Sequence, residues 1–208
     1  GLGDLLSELG AAPIDTFTVA SNARSASIPL PGYYGISRER LDASLAAKAV
    51  DAGAAFLPQT RVVDTEIRPD HRTIRAMHND TRLELNARVV VAANGLGNAL
   101  AQRSTHVAPA SRIGAGIVLD DAPGEFRPSC IYMACGKGGY VGLSRVEDGG
   151  VDVAAAFDPS FVRNTAGLGP AAAAVFDAAG FPVWPGLTQG EWRGTPALTR
   201  SNTAVTAP

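Results

Sequence analysis

The chain has 208 residues, of which 46% are hydrophobic and 18% charged; that balance supports a packed core and excludes an intrinsically disordered segment. A formal net charge of −2 excludes a nucleic-acid binder held by phosphate neutralisation, and no apolar run approaches the roughly 20 residues of a membrane-spanning helix. Two cysteines are too few for a disulfide-stapled secreted domain, so a reducing, cytoplasmic setting is expected.

Residues 4–9 read as a short helix stopped by Gly10. Residues 16–20 and 25–30 alternate apolar and polar side chains on either side of Ser21-Asn22, which predicts a strand pair. Next comes the clearest helix. Ser37 is an N-cap, Leu41, Leu45 and Ala49 recur every four residues, and Gly53 closes the run. Residues 54–57 are predicted as a short buried strand. Three further strands fit residues 61–67, 73–78 and 81–85, with Asn79-Asp80 as a tight turn.

Residues 88–93 (Arg-Val-Val-Val-Ala-Ala) form the most strand-like run in the chain. Their unbroken apolar character predicts a central parallel strand covered on both faces. It leads into Asn94-Gly95-Leu96-Gly97 and a helical stretch at 98–103. Beyond residue 111 the pattern changes to four antiparallel strands at 114–119, 129–134, 140–146 and 151–157, followed by an Ala-rich helix at 170–179 stopped by Gly180. Residues 191–208 are expected to hold one strand and a loop. The expected division is an α/β part, residues 1–107, and a mostly β part, residues 108–208, with 15–35 able to belong to the second.

Several motifs have ordinary explanations. Cys130 and Cys135 are five apart, which on one strand places them on opposite faces and rules out a mutual disulfide. His71, His78 and His106 lack metal-ligand spacing, although the first two are candidates to face each other across a hairpin. Only Lys48 and Lys137 among the 18 basic residues are lysine, a skew that a GC-rich coding sequence explains. Trp184 and Trp192 are expected in the core.

The combination of Ile36-Ser37-Arg38-Glu39-Arg40-Leu41-Asp42 with Leu45, then Ala52-Gly53-Ala54, Val62-Val63 and Val89-Val90-Val91-Ala92-Ala93-Asn94-Gly95 is more specific. In that order and spacing it resembles the FAD-dependent oxidoreductases of the para-hydroxybenzoate hydroxylase type, especially the branch of geranylgeranyl reductases. Gly139-Tyr140-Val141-Gly142-Leu143 and Pro196-Ala197-Leu198-Thr199-Arg200 fit the same branch.

The resemblance implies a partial Rossmann-like FAD-binding domain with a β-meander insert, followed by an antiparallel-sheet substrate domain. It implies that Arg38 contacts the FAD pyrophosphate or ribose; a solvated helix-start arginine is the alternative. It implies that the backbone of Val63 frames the adenine, against a plain sheet valine. Ala93, Asn94 and Gly95 match an Ala-Asp-Gly turn beside the cofactor, with Asn in place of the usual Asp. Tyr132, Tyr140 and Gly142 are candidates for the substrate-pocket wall. No catalytic acid or base and no metal ligand is assigned.

Family features absent from the sequence are the GxGxxG turn, the acidic ribose-binding residue after it and the later Gly-Asp segment, so the chain is expected to be an internal fragment that holds FAD weakly alone. The implied parent moves hydride or electrons between FAD and a small apolar substrate, with NAD(P)H as a candidate donor. A monooxygenase and a non-catalytic small-ligand module are the alternatives. The oligomeric state stays open.

Overall fold

A computed structural model describes residues 4–95 and 105–202. In chain order its elements begin with α1 (Leu5–Glu8), β1 (Ala12–Ser21), β2 (Arg24–Gly35) and α2 (Arg38–Asp51). Next come β3 (Thr60–Ile67), β4 (Arg72–His78), β5 (Thr81–Ala87), β6 (Thr105–Val107) and β7 (Ile113–Leu119). Then follow β8 (Cys130–Gly136), β9 (Gly139–Arg145), β10 (Val151–Phe157), α3 (Pro159–Asn164) and α4 (Leu168–Ala179). The last three are α5 (Pro185–Gln189), β11 (Arg193–Ala197) and β12 (Arg200–Asn202). The fold is mixed α/β and divides into two compact units: residues 1–44 with 109–199, and residues 45–108 with 200–208. β1 and β2 join the sheet of the later strands.

The first unit is built on a seven-stranded sheet in the order β11-β7-β10-β9-β8-β1-β2. Neighbours are antiparallel except β1 and β8, which run parallel. The β1–β2 turn is Asn22-Ala23, both at positive φ, the geometry whose twist matches a tight hairpin. β2 is an edge strand, which is why it accommodates Pro29 and Pro31, residues with no N–H to give to a ladder.

Period-two alternation decides which side of the sheet is core. Cys130, Tyr132 and Ala134 of β8, Val141 and Leu143 of β9, Val151, Val153, Ala155 and Phe157 of β10, and Ala115 and Ile117 of β7 are all buried on one face. Ala171, Ala172, Val175, Phe176 and Ala179 of α4 pack against them. Phe126 sits at the centre of an aromatic cluster, its ring centroid 5.0 Å from Tyr132, 5.7 Å from Trp184 and 5.9 Å from both Phe176 and Phe181. Gly180, at φ 82, ends α4 in the left-handed conformation.

The second unit contains the three-stranded antiparallel sheet β3-β4-β5, with Asn79-Asp80 at positive φ as its hairpin turn, and the pair β6–β12. The C-terminal end of α2 carries two hydrogen bonds of a Schellman stop: Gly53 N–H donates to Val50 O and Ala54 N–H to Ala49 O.

Two predicted strands are corrected. Residues 54–57 are irregular, with Phe56 63% and Leu57 43% exposed. Residues 88–93 are irregular as well, with Val89 79% and Val91 82% exposed. Apolar composition gives such a run the capacity to be a covered strand, but a strand needs a hydrogen-bonded neighbour, and no described strand pairs with either segment. The predicted helix at 98–103 lies outside the described residues. His71 and His78 do not face each other; they flank β4 at opposite ends, His71 bonded to Asp70 and His78 to Thr60. Among the described residues no helix is long and apolar enough to cross a membrane.

Candidate functional site

The sheet of the first unit has a second face that α4 does not cover, and the strand register sets out its residues in rows. Gly116 pairs with Ala154, Ala154 with Gly142, Gly142 with Met133, and Met133 with Val19. On one side of this row, Asp152 lies between Val118 and Ser144. On the other side, Ala156 pairs with Gly114 and Tyr140, and Tyr140 with Cys135. Adjacent rows on one face are separated by two residues, roughly 7 Å. Gly116 and Ala154 make a low strip, or trough, along this row, with the Met133 side chain over Gly142 and with Asp152 and Ser144 along one side and Tyr140 along the other.

The polar groups of this face are few. The guanidinium carbon of Arg112 lies 5.6 Å from the centroid of the Tyr140 ring, and Arg112 Nε donates to Asp158 at 3.1 Å. Burial raises the carboxyl pKa of Asp152 above its ordinary value, and the negative charge of Glu147 adds to the shift. Tyr132 belongs to the opposite face, which corrects its place beside Tyr140 and Gly142. It pairs with buried Leu143, its hydroxyl donates to Glu125 O at 3.1 Å, and it accepts from Arg127 N–H at 3.0 Å. Tyr140 and Gly142, at odd-versus-even offset from it in register, do share the open face. Asp152 and Ser144 escaped the sequence reading; the signal was a single acid in the run Val151-Asp152-Val153-Ala154-Ala155-Ala156.

Arg38 opens α2. Ser37 caps the helix, its hydroxyl accepting from Arg40 N–H at 3.2 Å. Ser37 also donates from its backbone N–H to Glu147 Oε2 at 2.8 Å and from its hydroxyl to the other carboxylate oxygen. Burial pushes the Glu147 carboxyl up, but the Ser37 hydrogen bonds, its own backbone N–H and Arg40 outweigh that and hold it below its ordinary value. The Arg38 side chain is 83% exposed and bonded to Asp42 through Nε at 3.3 Å and one terminal nitrogen at 2.9 Å. Of the five N–H donors on a guanidinium, these two contacts leave three for a ligand.

In the second unit Val63 sits at the irregularity between Val62 and Asp64 where β3 slips against β4, half exposed. A strand bulge frees a backbone group from the ladder. Ala93, Asn94 and Gly95 are consecutive, exposed and irregular; Gly95 has φ 62 and nothing within 4 Å of where a Cβ would stand. Among the described residues no group of three or more His, Cys, Asp or Glu is arranged to hold a metal ion.

No protein-family model matches the sequence, and no curated protein does. Solved structures do match. The FAD-dependent halogenase CndH, a myxobacterial chondrochloren halogenase, aligns at a TM-score of 0.73 with 15% identity over 98% of this chain and 53% of its own. A triple mutant of the flavin-dependent brominase Bmp2 aligns at 0.72 with 14% identity over 97% and 54%. A geranylgeranyl bacteriochlorophyll reductase-like protein from Thermoplasma acidophilum aligns at 0.63 with 16% identity over 95% and 53%. The chain shares its fold with these FAD-dependent and reductase-like proteins. The chain spans about half the length of these three proteins.

Two features of this chain have the chemistry to hold an FAD phosphate or ribose. The turn at Ala93-Asn94-Gly95 offers exposed backbone with open space at the glycine, which lets a phosphate or ribose approach closely. Arg38 offers unused guanidinium donors at a capped helix start. Asn94 brings an amide where the family turn carries a carboxylate, so it contributes no charge there.

Proposed function

We propose that the chain is part of a flavin-dependent oxidoreductase that moves electrons between FAD and a small apolar organic substrate, with NAD(P)H as the electron donor. Arg38 binds the FAD phosphates or adjoining ribose, the backbone of Val63 frames the adenine, and Ala93, Asn94 and Gly95 hold the turn against the cofactor. FAD, when bound, supplies electron transfer at its isoalloxazine ring.

The trough of Gly116 and Ala154, with Met133 over Gly142 at its end, takes the flat apolar body of the substrate, and Tyr140 donates a hydrogen bond to it. Concave, mostly apolar surfaces with a few polar groups are the common form of such sites. The observation that carries this reading is the fold shared with FAD-dependent proteins over nearly the whole chain.

The test is a titration of FAD, followed by flavin fluorescence, into the protein expressed from the full reading frame that contains this chain. Saturable binding that weakens in Arg38→Ala supports the reading; no flavin binding favours a non-catalytic ligand-binding module. Anaerobic reduction followed by oxygen then separates two chemistries. Substrate reduced without oxygen is the expected result, and substrate-dependent oxygen insertion assigns a monooxygenase instead.

A further inference from the structure

The flavin reading leaves unexplained a concentration of arginine at one end of the three-stranded sheet. Because β3, β4 and β5 are antiparallel, the end of β3, the start of β4 and the residue after β5 meet there: Ile67 pairs with Arg72, and Arg72 with Ala87, which Arg88 follows. The β3–β4 turn, closed by Arg68 N–H donating to His71 O at 2.9 Å, and the segment after β5 border an open cavity of about 400 Å³. Its lining includes Arg68, Asp70, His71, Arg72, Arg88 and Val90.

The charges of this sheet are segregated. Arg75 gathers three carboxylates, those of Asp64 at 2.8 Å, Glu66 at 2.7 Å and Glu84 at 3.6 Å. Arg68 shares Glu66 at 2.9 Å. Asp70, the one carboxylate in the cavity wall, is engaged by His71 Nδ1 at 2.7 Å, a bond that holds its carboxyl below the ordinary value. Among the described residues, the side chains of Arg72 and Arg88 have no hydrogen-bond or ion-pair partner. Both line the same cavity, where an anion offsets their charge.

We propose that this cavity binds a phosphorylated small molecule, its phosphate held by Arg72 and Arg88 with Arg68 at the rim and its apolar part against Val90. Guanidinium suits this ligand because its planar fork gives paired hydrogen bonds to phosphate oxygens. A cavity of this size falls in the range of small-molecule sites, roughly 300–1,000 Å³. The site stands on the arginines and the sheet topology alone and does not depend on flavin binding.

The experiment uses the protein expressed from the full reading frame that contains this chain, labelled with ¹⁵N and titrated separately with inorganic pyrophosphate, ATP and adenosine. Expected are saturable amide shifts confined to residues 67–72 and 88–90 with pyrophosphate and ATP, and none with adenosine. Tighter binding of ATP assigns a nucleotide, and equal binding assigns the phosphate group alone; both support the site. The double variant Arg72→Gln/Arg88→Gln is expected to weaken binding about tenfold or more, consistent with loss of charged hydrogen bonds. Arg82→Gln, at the other end of β5 where Arg82 pairs with Met77, is expected to change it less than about twofold. No saturable shift with pyrophosphate or ATP, shifts centred elsewhere, or equal weakening by Arg82→Gln overturns the proposal. The wild-type shift map decides the matter even if the double variant fails to fold.

Discussion

Ser37 and Glu147, 110 residues apart in sequence, are joined by two hydrogen bonds to one carboxylate, from the backbone N–H and from the hydroxyl of Ser37. The same serine caps α2 and so ties the start of the helix, with Arg38 on it, to the β9–β10 turn. Glu147 is a buried acid whose charge is also faced by Arg40 at 3.6 Å. Glu147→Ala is expected to destabilise the first unit by about 1.5–3 kcal/mol, because charged hydrogen bonds are lost and two donors are left unpaired. The linkage has a definite sign. The folded carboxyl titrates below its ordinary value of 4.5, so its contribution is present above that pH and is lost as pH falls through the folded value. Urea unfolding from pH 7 to pH 3 checks this, and Glu147→Gln is expected to flatten the acid limb.

Asp152 carries the opposite expectation. Its carboxyl titrates above the ordinary 3.8 because of burial and the nearby charge of Glu147. Between the ordinary and the raised value the folded state binds more protons, so stability falls as pH rises through that window. Asp152→Asn removes the titration. It is expected to stabilise the protein at pH 7 by up to about 1 kcal/mol and to leave it unchanged below pH 3.8. Thermal melts at the two pH values measure the difference; greater stabilisation at the acid end contradicts the assignment.

How legible these features were in the sequence follows from how local their causes are. The meander and its Asn79-Asp80 turn, the Ser37 cap and the Gly180 stop are set by residues close in the chain, and they appear where the pattern puts them. The strands of the large sheet are legible for the same reason, yet their neighbours are not: β1 lies parallel to β8 across more than a hundred residues. The valine run at 88–93 misled because composition reports what a segment tolerates, whereas a ladder requires a partner. Tyr132 was grouped with Tyr140 by chemistry, although alternation sends them to opposite faces. The arginine cavity was hidden by a composition that makes arginine commonplace, and topology alone brings Arg68, Arg72 and Arg88 to one end.

Arg38→Ala separates a functional role from a structural one. The exposed pair with Asp42 is an i,i+4 contact that water screens, so the melting temperature is expected to move little. If the guanidinium holds an FAD phosphate, affinity for FAD falls by about 1.5–3 kcal/mol, the range for a charged hydrogen bond. Fluorescence titration of FAD against wild type and variant, alongside circular dichroism melts, reads the two quantities separately. A drop in stability with unchanged affinity removes Arg38 from the cofactor site.

The open sheet face offers the corresponding test for the substrate. Ala154 is exposed at the middle of the trough floor, between Gly116 and Gly142. A larger side chain there projects into the trough while the core face of β10, formed by Val153 and Ala155, stays untouched. Ala154→Glu is expected to hold the melting temperature within a few degrees, as exposed substitutions do. An apolar dye such as 8-anilinonaphthalene-1-sulfonate, which reports accessible apolar surface, is expected to lose several-fold in fluorescence, because charge and bulk now occupy the floor. Val162→Glu, on the partly buried side of α3 that packs against the core, serves as the contrast, since it acts by loosening the fold and raises dye binding. If Ala154→Glu leaves dye fluorescence at the wild-type level, the trough is not the apolar surface that a substrate would meet.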